Sequence, residues 1–75
     1  MARFQEYGTL VRWLGDKGFG FIKCDAGGPD AFAHLSDFAG TPAVGARVSF
    51  VLSHTDRGAR ASAIEALPDH AGSGR

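Results

Sequence analysis

Residues 17–23 read Lys-Gly-Phe-Gly-Phe-Ile-Lys, and this segment restricts the possible folds more than any other part of the chain. If it is a β-strand, its side chains alternate between two faces, and one face carries Lys17, Phe19, Phe21 and Lys23. A half-buried strand turns its charges to water, so the two phenylalanines beside these lysines are predicted to be exposed too. The alternative is that both phenylalanines belong to the core and that the glycines mark a bulge or turn.

A second predicted strand, residues 31–35, repeats this pattern. Phe32 and His34 share one face of it. The other face carries small or aliphatic side chains that suit a core: Ala31, Ala33 and Leu35. Phe32 and His34 are therefore predicted to lie on the outer face.

Residues 25–30 join the two strands and consist mostly of turn-forming Asp, Gly and Pro, so they predict a hairpin. The hairpin would bring one polar and three aromatic side chains together on its outer face: Phe19, Phe21, Phe32 and His34. An isolated His is more often structural than functional, but one among three exposed rings is well placed to stack on bases. Exposed rings bordered by lysines are typical of a surface that binds single-stranded nucleic acid.

These segments resemble the cold-shock domain family. Residues 17–22 match the first ribonucleoprotein motif of that family at every position, and residues 31–35 match the second, usually Val-Phe-Val-His-Phe, at Phe32 and His34. Gly8 also lies at the family's distance before the first motif. The resemblance covers roughly residues 7–67, and it implies a five-stranded antiparallel OB-type barrel, an all-β fold, that binds single-stranded RNA and DNA.

The chain departs from the family pattern in three places. Leu35 stands where the family has an aromatic residue, and Ala31 and Ala33 stand where it has valines. Aligned without gaps, Arg12 falls on the family's Trp position and Trp13 on the following Phe. A slip of one residue would restore the Trp, and the sequence leaves both alignments open.

Length and composition indicate one small domain. We predict a cold-shock domain over residues 1–67 and a disordered tail over residues 68–75, which lacks apolar periodicity. The chain has no apolar run of about 18 residues and no secretory signal at its N-terminus, so we expect a cytoplasmic protein that does not associate with membranes. The one cysteine, Cys24, excludes an internal disulfide and is predicted to face the core.

The remaining elements are predicted from alternation and turn residues. We expect residues 1–6 to be a short lead-in and strands over residues 7–14, 47–53 and 59–67, with Leu10, Phe50 and Ile64 in the core. Residues 36–46 form the longest link, with a helical turn near Ser36. Phe38 in this link either packs inward, which we favour, or replaces the ring missing at Leu35.

Charge and motifs favour a binding module over an enzyme. The 8 basic and 8 acidic residues give a formal charge of zero, so binding would depend on stacking more than on phosphates. No Ser-His-Asp or Cys-His pairing, zinc spacing or phosphate-binding loop has a supporting context, and no cofactor is expected.

We expect a monomer that binds single-stranded RNA or DNA, preferably pyrimidine-rich, and acts as an RNA chaperone or a regulator of transcription or translation. The predicted nucleic-acid-binding residues are Trp13, Lys17, Phe19, Phe21, Phe32, His34, Arg12, Lys23, Phe38, Arg57 and Arg60. Arg57 and Arg60 are also consistent with ordinary solvated charges. The alternative function is a protein-interaction module on the same barrel, which the neutral charge and Leu35 favour.

Overall fold

The computed structural model describes residues 5–67, which form five strands and one short 3-10 helix. The strands are β1 (Gln5–Leu14), β2 (Phe19–Cys24), β3 (Ala31–His34), β4 (Arg47–Thr55) and β5 (Gly58–Ala66), and the 3-10 helix Leu35–Asp37 follows β3. β1 begins before the predicted start at Tyr7, so Gln5 and Glu6 belong to the strand and not to a lead-in. The predicted tail, residues 68–75, lies outside the described residues.

The five strands close into a barrel in the order β1-β2-β3-β5-β4, with β4 pairing back to β1. This confirms the predicted all-β five-stranded barrel. The pairing of β3 with β5 is parallel, whereas the other four pairings are antiparallel. A closed ring with an odd number of strands cannot alternate direction throughout, so one parallel pair is required. The described part of the chain contains no helix with the length and apolar character needed to cross a membrane.

The core lies inside the barrel and is built from aliphatic residues, one ring and several alanines. Its largest fully buried side chains are Leu10, Ile22, Val48, Phe50 and Ile64, which confirms the core positions predicted for Leu10, Phe50 and Ile64. Cys24 is buried as well, as predicted, and burial raises the pKa of its thiol above the usual value.

Two irregularities change which residues face the core. In β1 the pairing with β2 shifts by one residue between Leu10 and Arg12, so Val11 is an extra residue and the faces exchange beyond it. In β5, Ala63 has a φ of 50°, and the buried positions pass from Ala61 to Ile64 across it. This explains why neither alternating set of residues 59–67 is cleanly apolar.

β1 and β2 approach each other closely at Gly8. A methyl group at this position would overlap the carbonyl oxygen of Lys23 and lie 2.8 Å from a side-chain methyl of Ile22. Any larger residue would force the strands apart, because the main-chain carbonyl cannot rotate away. Gly8 therefore permits the close approach of β1 to β2 at this point of the barrel.

Candidate nucleic-acid interface

Three half-buried phenylalanine rings form a cluster on the outside of the barrel. Phe19 and Phe32 have ring centroids 5.3 Å apart with 32° between the ring planes. Phe21 contacts both in edge-to-face geometry, at 6.1 Å from Phe19 and 6.0 Å from Phe32. We call these three side chains the aromatic cluster. Each ring supports the other two while keeping part of its surface accessible, so the cluster is both ordered and available for stacking.

Strand register explains how residues distant in sequence meet in this cluster. Phe19 pairs with His34, and Phe21 pairs with Phe32, across the β2·β3 ladder. Directly paired residues point to the same side of a sheet, and their Cβ atoms lie about 5 Å apart. The residues between them, Gly20, Ile22, Ala31 and Ala33, are buried. The predicted alternation is thus confirmed over residues 19–24 and 31–34, and the reading of these phenylalanines as core residues is wrong.

The pairing continues across four strands. Arg12 of β1 lies opposite Phe21, Phe21 lies opposite Phe32, and Phe32 lies opposite Arg60 of β5. We call this line of side chains the central row. It places an exposed guanidinium at each end and two rings in the middle. Arg60 is therefore not an isolated surface charge, because the parallel β3·β5 pairing puts it beside Phe32.

The bulge at Val11 decides between the two alignments left open by the sequence. With one extra residue in β1, Arg12 lies on the outer face and Trp13 lies opposite Gly20 on the inner face. A methyl group at Gly20 would lie 2.7 Å from the Trp13 indole, so the indole covers Gly20 from the core side. The prediction that Trp13 lies near the outer binding face is wrong for this reason.

Phe38 joins Trp13 and not the aromatic cluster. The two rings are 5.4 Å apart and edge-to-face, and both pack against the core. The main chain of Phe38 also bridges to Ile64 in β5. Of the two alternatives for Phe38, inward packing is the one observed.

Leu35 and Leu14 occupy positions that the alternation did not predict. Leu35 was expected on the inner face, but β3 ends at His34 and the 3-10 helix begins there, so Leu35 is 49% exposed. Leu14 lies opposite Phe19 on the outer face and extends the aromatic cluster by one aliphatic side chain. No local pattern in the sequence marks the change of face in β1 that places Leu14 there.

His34 is held in place by the first turn of the 3-10 helix. Its Nδ1 accepts a hydrogen bond from the main-chain N–H of Ser36 at 3.1 Å and lies 2.9 Å from the Ser36 hydroxyl. A nitrogen that accepts from an amide carries no proton, so Nε2 carries the ring proton. His34 therefore presents a fixed ring face beside Phe19 and an N–H donor to a ligand.

A cleft of about 660 Å³ opens next to the aromatic cluster. Phe21 and Phe32 line one part of this cleft. The rest is lined by the β2–β3 loop at Pro29–Asp30, by the β4–β5 turn that carries Arg57, and by Arg60. Arg57 thus joins the candidate site through the turn. The two predicted lysines are exposed outside this cleft: Lys17 in the turn before Phe19, and Lys23 on β2 opposite Thr9.

Two ion pairs restrain side chains around the barrel. Arg60 donates to a carboxylate oxygen of Asp37 at 2.9 Å, which ties β5 to the 3-10 helix. Arg47 donates to both carboxylate oxygens of Asp25 and to the Thr9 hydroxyl. These hydrogen bonds lower the pKa of Asp25 and raise that of Arg47. Within residues 5–67 no group of three His, Cys, Asp or Glu side chains is arranged to hold a metal ion.

The sequence matches known proteins over nearly the whole described region. The family model of the 'Cold-shock' DNA-binding domain matches residues 7–67. The chain is 40% identical over 68 residues to the cold shock-like protein CspA of Vibrio cholerae, an alignment that covers 84% of this chain and 97% of that protein. It is 43% identical over 63 residues to the cold shock-like protein CspG of Shewanella violacea, covering 77% and 90%.

A solved structure shows the same fold. The Drosophila structure described as Unr CSD456 superimposes with a TM-score of 0.75 at 23% identity. The similarity covers 89% of this chain and 28% of that one. Since the identity is low, this comparison supports the barrel architecture alone.

Proposed function

The chain belongs to the cold-shock domain family and is a nucleic-acid-binding protein without enzymatic activity, and on this premise we propose that it binds single-stranded RNA or DNA by base stacking. The observation that carries the proposal is the half-buried, solvent-accessible aromatic cluster, three rings from two strands brought into register on the outer face. Duplex DNA hides its base faces, whereas an unpaired strand offers them.

Stacking supplies most of the affinity in this mechanism. Successive bases lie on the rings of Phe19, Phe21 and Phe32 and on the imidazole of His34. Each stacked base contributes about 1–3 kcal/mol on the alanine-substitution scale. Because every base has a π-face, the cluster itself gives only modest sequence preference, with pyrimidine-rich strands favoured.

Basic side chains around the cluster hold the sugar–phosphate backbone. Arg12 reaches from the far end of the central row, and Lys17, Lys23 and Arg57 lie exposed at other edges of the outer face. These four basic side chains can neutralise only a few phosphates, so few counterions are released on binding. We therefore expect affinity to weaken less with salt than it does for proteins that bind mainly through phosphates.

Binding of unpaired strands gives the protein a cellular role without consuming ATP. A ligand that binds one state of a folding equilibrium shifts that equilibrium towards it. A monomeric, cytoplasmic protein of this kind would hold RNA out of hairpins as a chaperone, and would thereby regulate transcription or translation.

Fluorescence anisotropy of labelled oligonucleotides tests this function. We expect micromolar or tighter binding of heptameric oligo-dT, weaker binding of oligo-dA and much weaker binding of a duplex of equal length. Preference for the duplex would contradict the stacking mechanism. Absence of binding to every strand at micromolar protein would contradict the function itself and favour a protein-interaction module.

A further inference from the structure

The two arginines at the ends of the central row differ, because Arg60 is paired with the carboxylate of Asp37 and Arg12 is not. Asp37 receives one hydrogen bond from a terminal nitrogen of Arg60, at 2.9 Å. The Asp37 side chain is 19% exposed and that of Arg60 is 45% exposed, so the guanidinium is anchored on one side and open on the other. No such acid is paired with Arg12 among the described residues.

This pairing alters what the guanidinium attracts. The negative charge of Asp37 offsets the positive charge of Arg60, which reduces the long-range attraction to phosphate. The pair leaves the remaining N–H donors of the guanidinium available to a ligand, and the single hydrogen bond to Asp37 restrains where they point. A guanidinium that is oriented and whose charge is offset by Asp37 suits a pair of neutral acceptors better than it suits a phosphodiester anion.

The position of Arg60 points to the edge of a base. Arg60 is the direct partner of Phe32 across the β3·β5 ladder, and both line the same cleft. A base stacked on the Phe32 ring lies roughly parallel to it and directs its hydrogen-bonding edges sideways. One of those sides is the wall of the cleft that Arg60 forms.

We propose that Arg60, oriented by Asp37, selects guanine at the subsite above Phe32. This inference rests on the proposed function and adds a sequence preference to it. Guanine presents two neighbouring acceptors, O6 and N7, to which an arginine can donate in a bidentate manner. Adenine presents N7 beside an amino donor, which the donor-only guanidinium cannot satisfy. Asp37 is a positioning residue that acts through Arg60.

A guanine scan tests the preference. Labelled heptameric dT strands carry one guanine, adenine or 7-deazaguanine at each position in turn, and binding is measured by anisotropy. We expect one position where guanine binds about tenfold more tightly than adenine. The 7-deaza base lacks N7 and should lose most of this preference.

Variants separate base recognition from phosphate binding. Arg60→Gln should abolish the guanine preference and move it towards adenine, which glutamine can recognise through N6 and N7. Arg57→Gln, at the other arginine of the cleft, should weaken all strands alike and leave the guanine-to-adenine ratio unchanged. Asp37→Ala should lower that ratio without weakening oligo-dT, and Asp37→Glu should restore part of it. Thermal melting of each variant establishes that it is folded.

Three results would overturn the inference. Equal binding of guanine and adenine strands at every position, with tight binding of oligo-dT, would refute the guanine subsite and leave the proposed function intact. An Arg60→Gln variant that weakens all strands equally would make Arg60 a phosphate contact. Absence of binding to any strand would remove the proposed function and the subsite with it.

Discussion

The indole of Trp13 lies over Gly20 on the core side of β2. A methyl group built on Gly20 would approach the indole to 2.7 Å and would overlap the main-chain carbonyl of Arg12. Because Phe19 and Phe21 flank Gly20 and face outward, this contact lies on the opposite side of β2 from the aromatic cluster. The packing of β1 on β2 therefore depends on the absence of a side chain at residue 20.

Gly20→Ala should destabilise the protein by about 1–3 kcal/mol, the usual cost of overpacking, because a main-chain carbonyl cannot move away as a flexible side chain can. Chemical denaturation measures the change in unfolding free energy. Gly15→Ala is the matched control, since a methyl group there meets only the Trp13 ring at 3.9 Å, an ordinary contact. Equal stability of the two variants would contradict the close packing at Gly20.

Ala63→Gly should stabilise the protein by up to about 1 kcal/mol. Ala63 has a φ of 50°, where an L-residue costs about 1–2 kcal/mol. Glycine removes that cost. Its greater conformational freedom in the unfolded chain offsets about 0.5–1 kcal/mol of the stabilisation. Ala61→Gly should instead destabilise by about 1–2 kcal/mol, because Ala61 is fully buried and loses a packed methyl group. Thermal melting compares the two, and destabilisation by both substitutions would contradict the strained backbone at Ala63.

Acid should weaken the link between β2 and β4 that Asp25 and Arg47 form. Hydrogen bonds from Arg47 lower the pKa of Asp25 in the folded protein below 3.8, the ordinary value of an aspartate. The pair therefore contributes its full stability above pH 3.8, and this contribution is lost as the pH falls through the lowered folded pKa. Asp25→Asn should have a lower melting temperature than the unmodified protein at neutral pH, and this difference should shrink on acidification. Arg47→Gln should show the same pH dependence. A difference in melting temperature that stays constant with pH would contradict a stabilising Asp25–Arg47 ion pair.

Trp13 fluorescence should respond weakly to oligonucleotide, because the indole lies on the core side and not in the aromatic cluster. The double substitution Arg12→Trp with Trp13→Phe moves the indole to the outer face opposite Phe21. Oligo-dT should quench the emission of that variant much more strongly than that of the unmodified protein at the same bound fraction, measured by anisotropy. Strong quenching in the unmodified protein would place Trp13 in the binding surface after all.

Local patterns in the sequence predicted the central hairpin and most of the core. Phe19 and Phe21 alternate with Gly20 and Ile22 without interruption, and β2 has no bulge that could exchange its faces. Strict alternation of this kind survives folding because a slip of one residue would expose the whole apolar set. The first motif was therefore sufficient to assign the outer and inner faces of β2.

The remainder of the candidate site depends on features that leave no local pattern. The bulge at Val11 turns Arg12 outward and Trp13 inward, and no glycine marks it. The bond between His34 and Ser36 starts the 3-10 helix that exposes Leu35. Arg60 reaches Phe32 only through a parallel pairing between strands more than 20 residues apart in sequence. Such placements come from tertiary structure, which single-residue alternation cannot predict.

The double substitution Phe19→Ala with Phe32→Ala tests the stacking surface most directly, because these two rings form the closest pair in the aromatic cluster. Both rings are half-buried on the outer face, so the variant should remain folded by circular dichroism. The control replaces an exposed aliphatic residue of the link between β3 and β4, outside the cluster, Val44→Ala. Binding of labelled oligo-dT is then measured by anisotropy. We predict a loss of at least about 2 kcal/mol, or thirtyfold in Kd, for the phenylalanine variant and little change for the control. A folded phenylalanine variant that binds oligo-dT as tightly as the control would contradict the account.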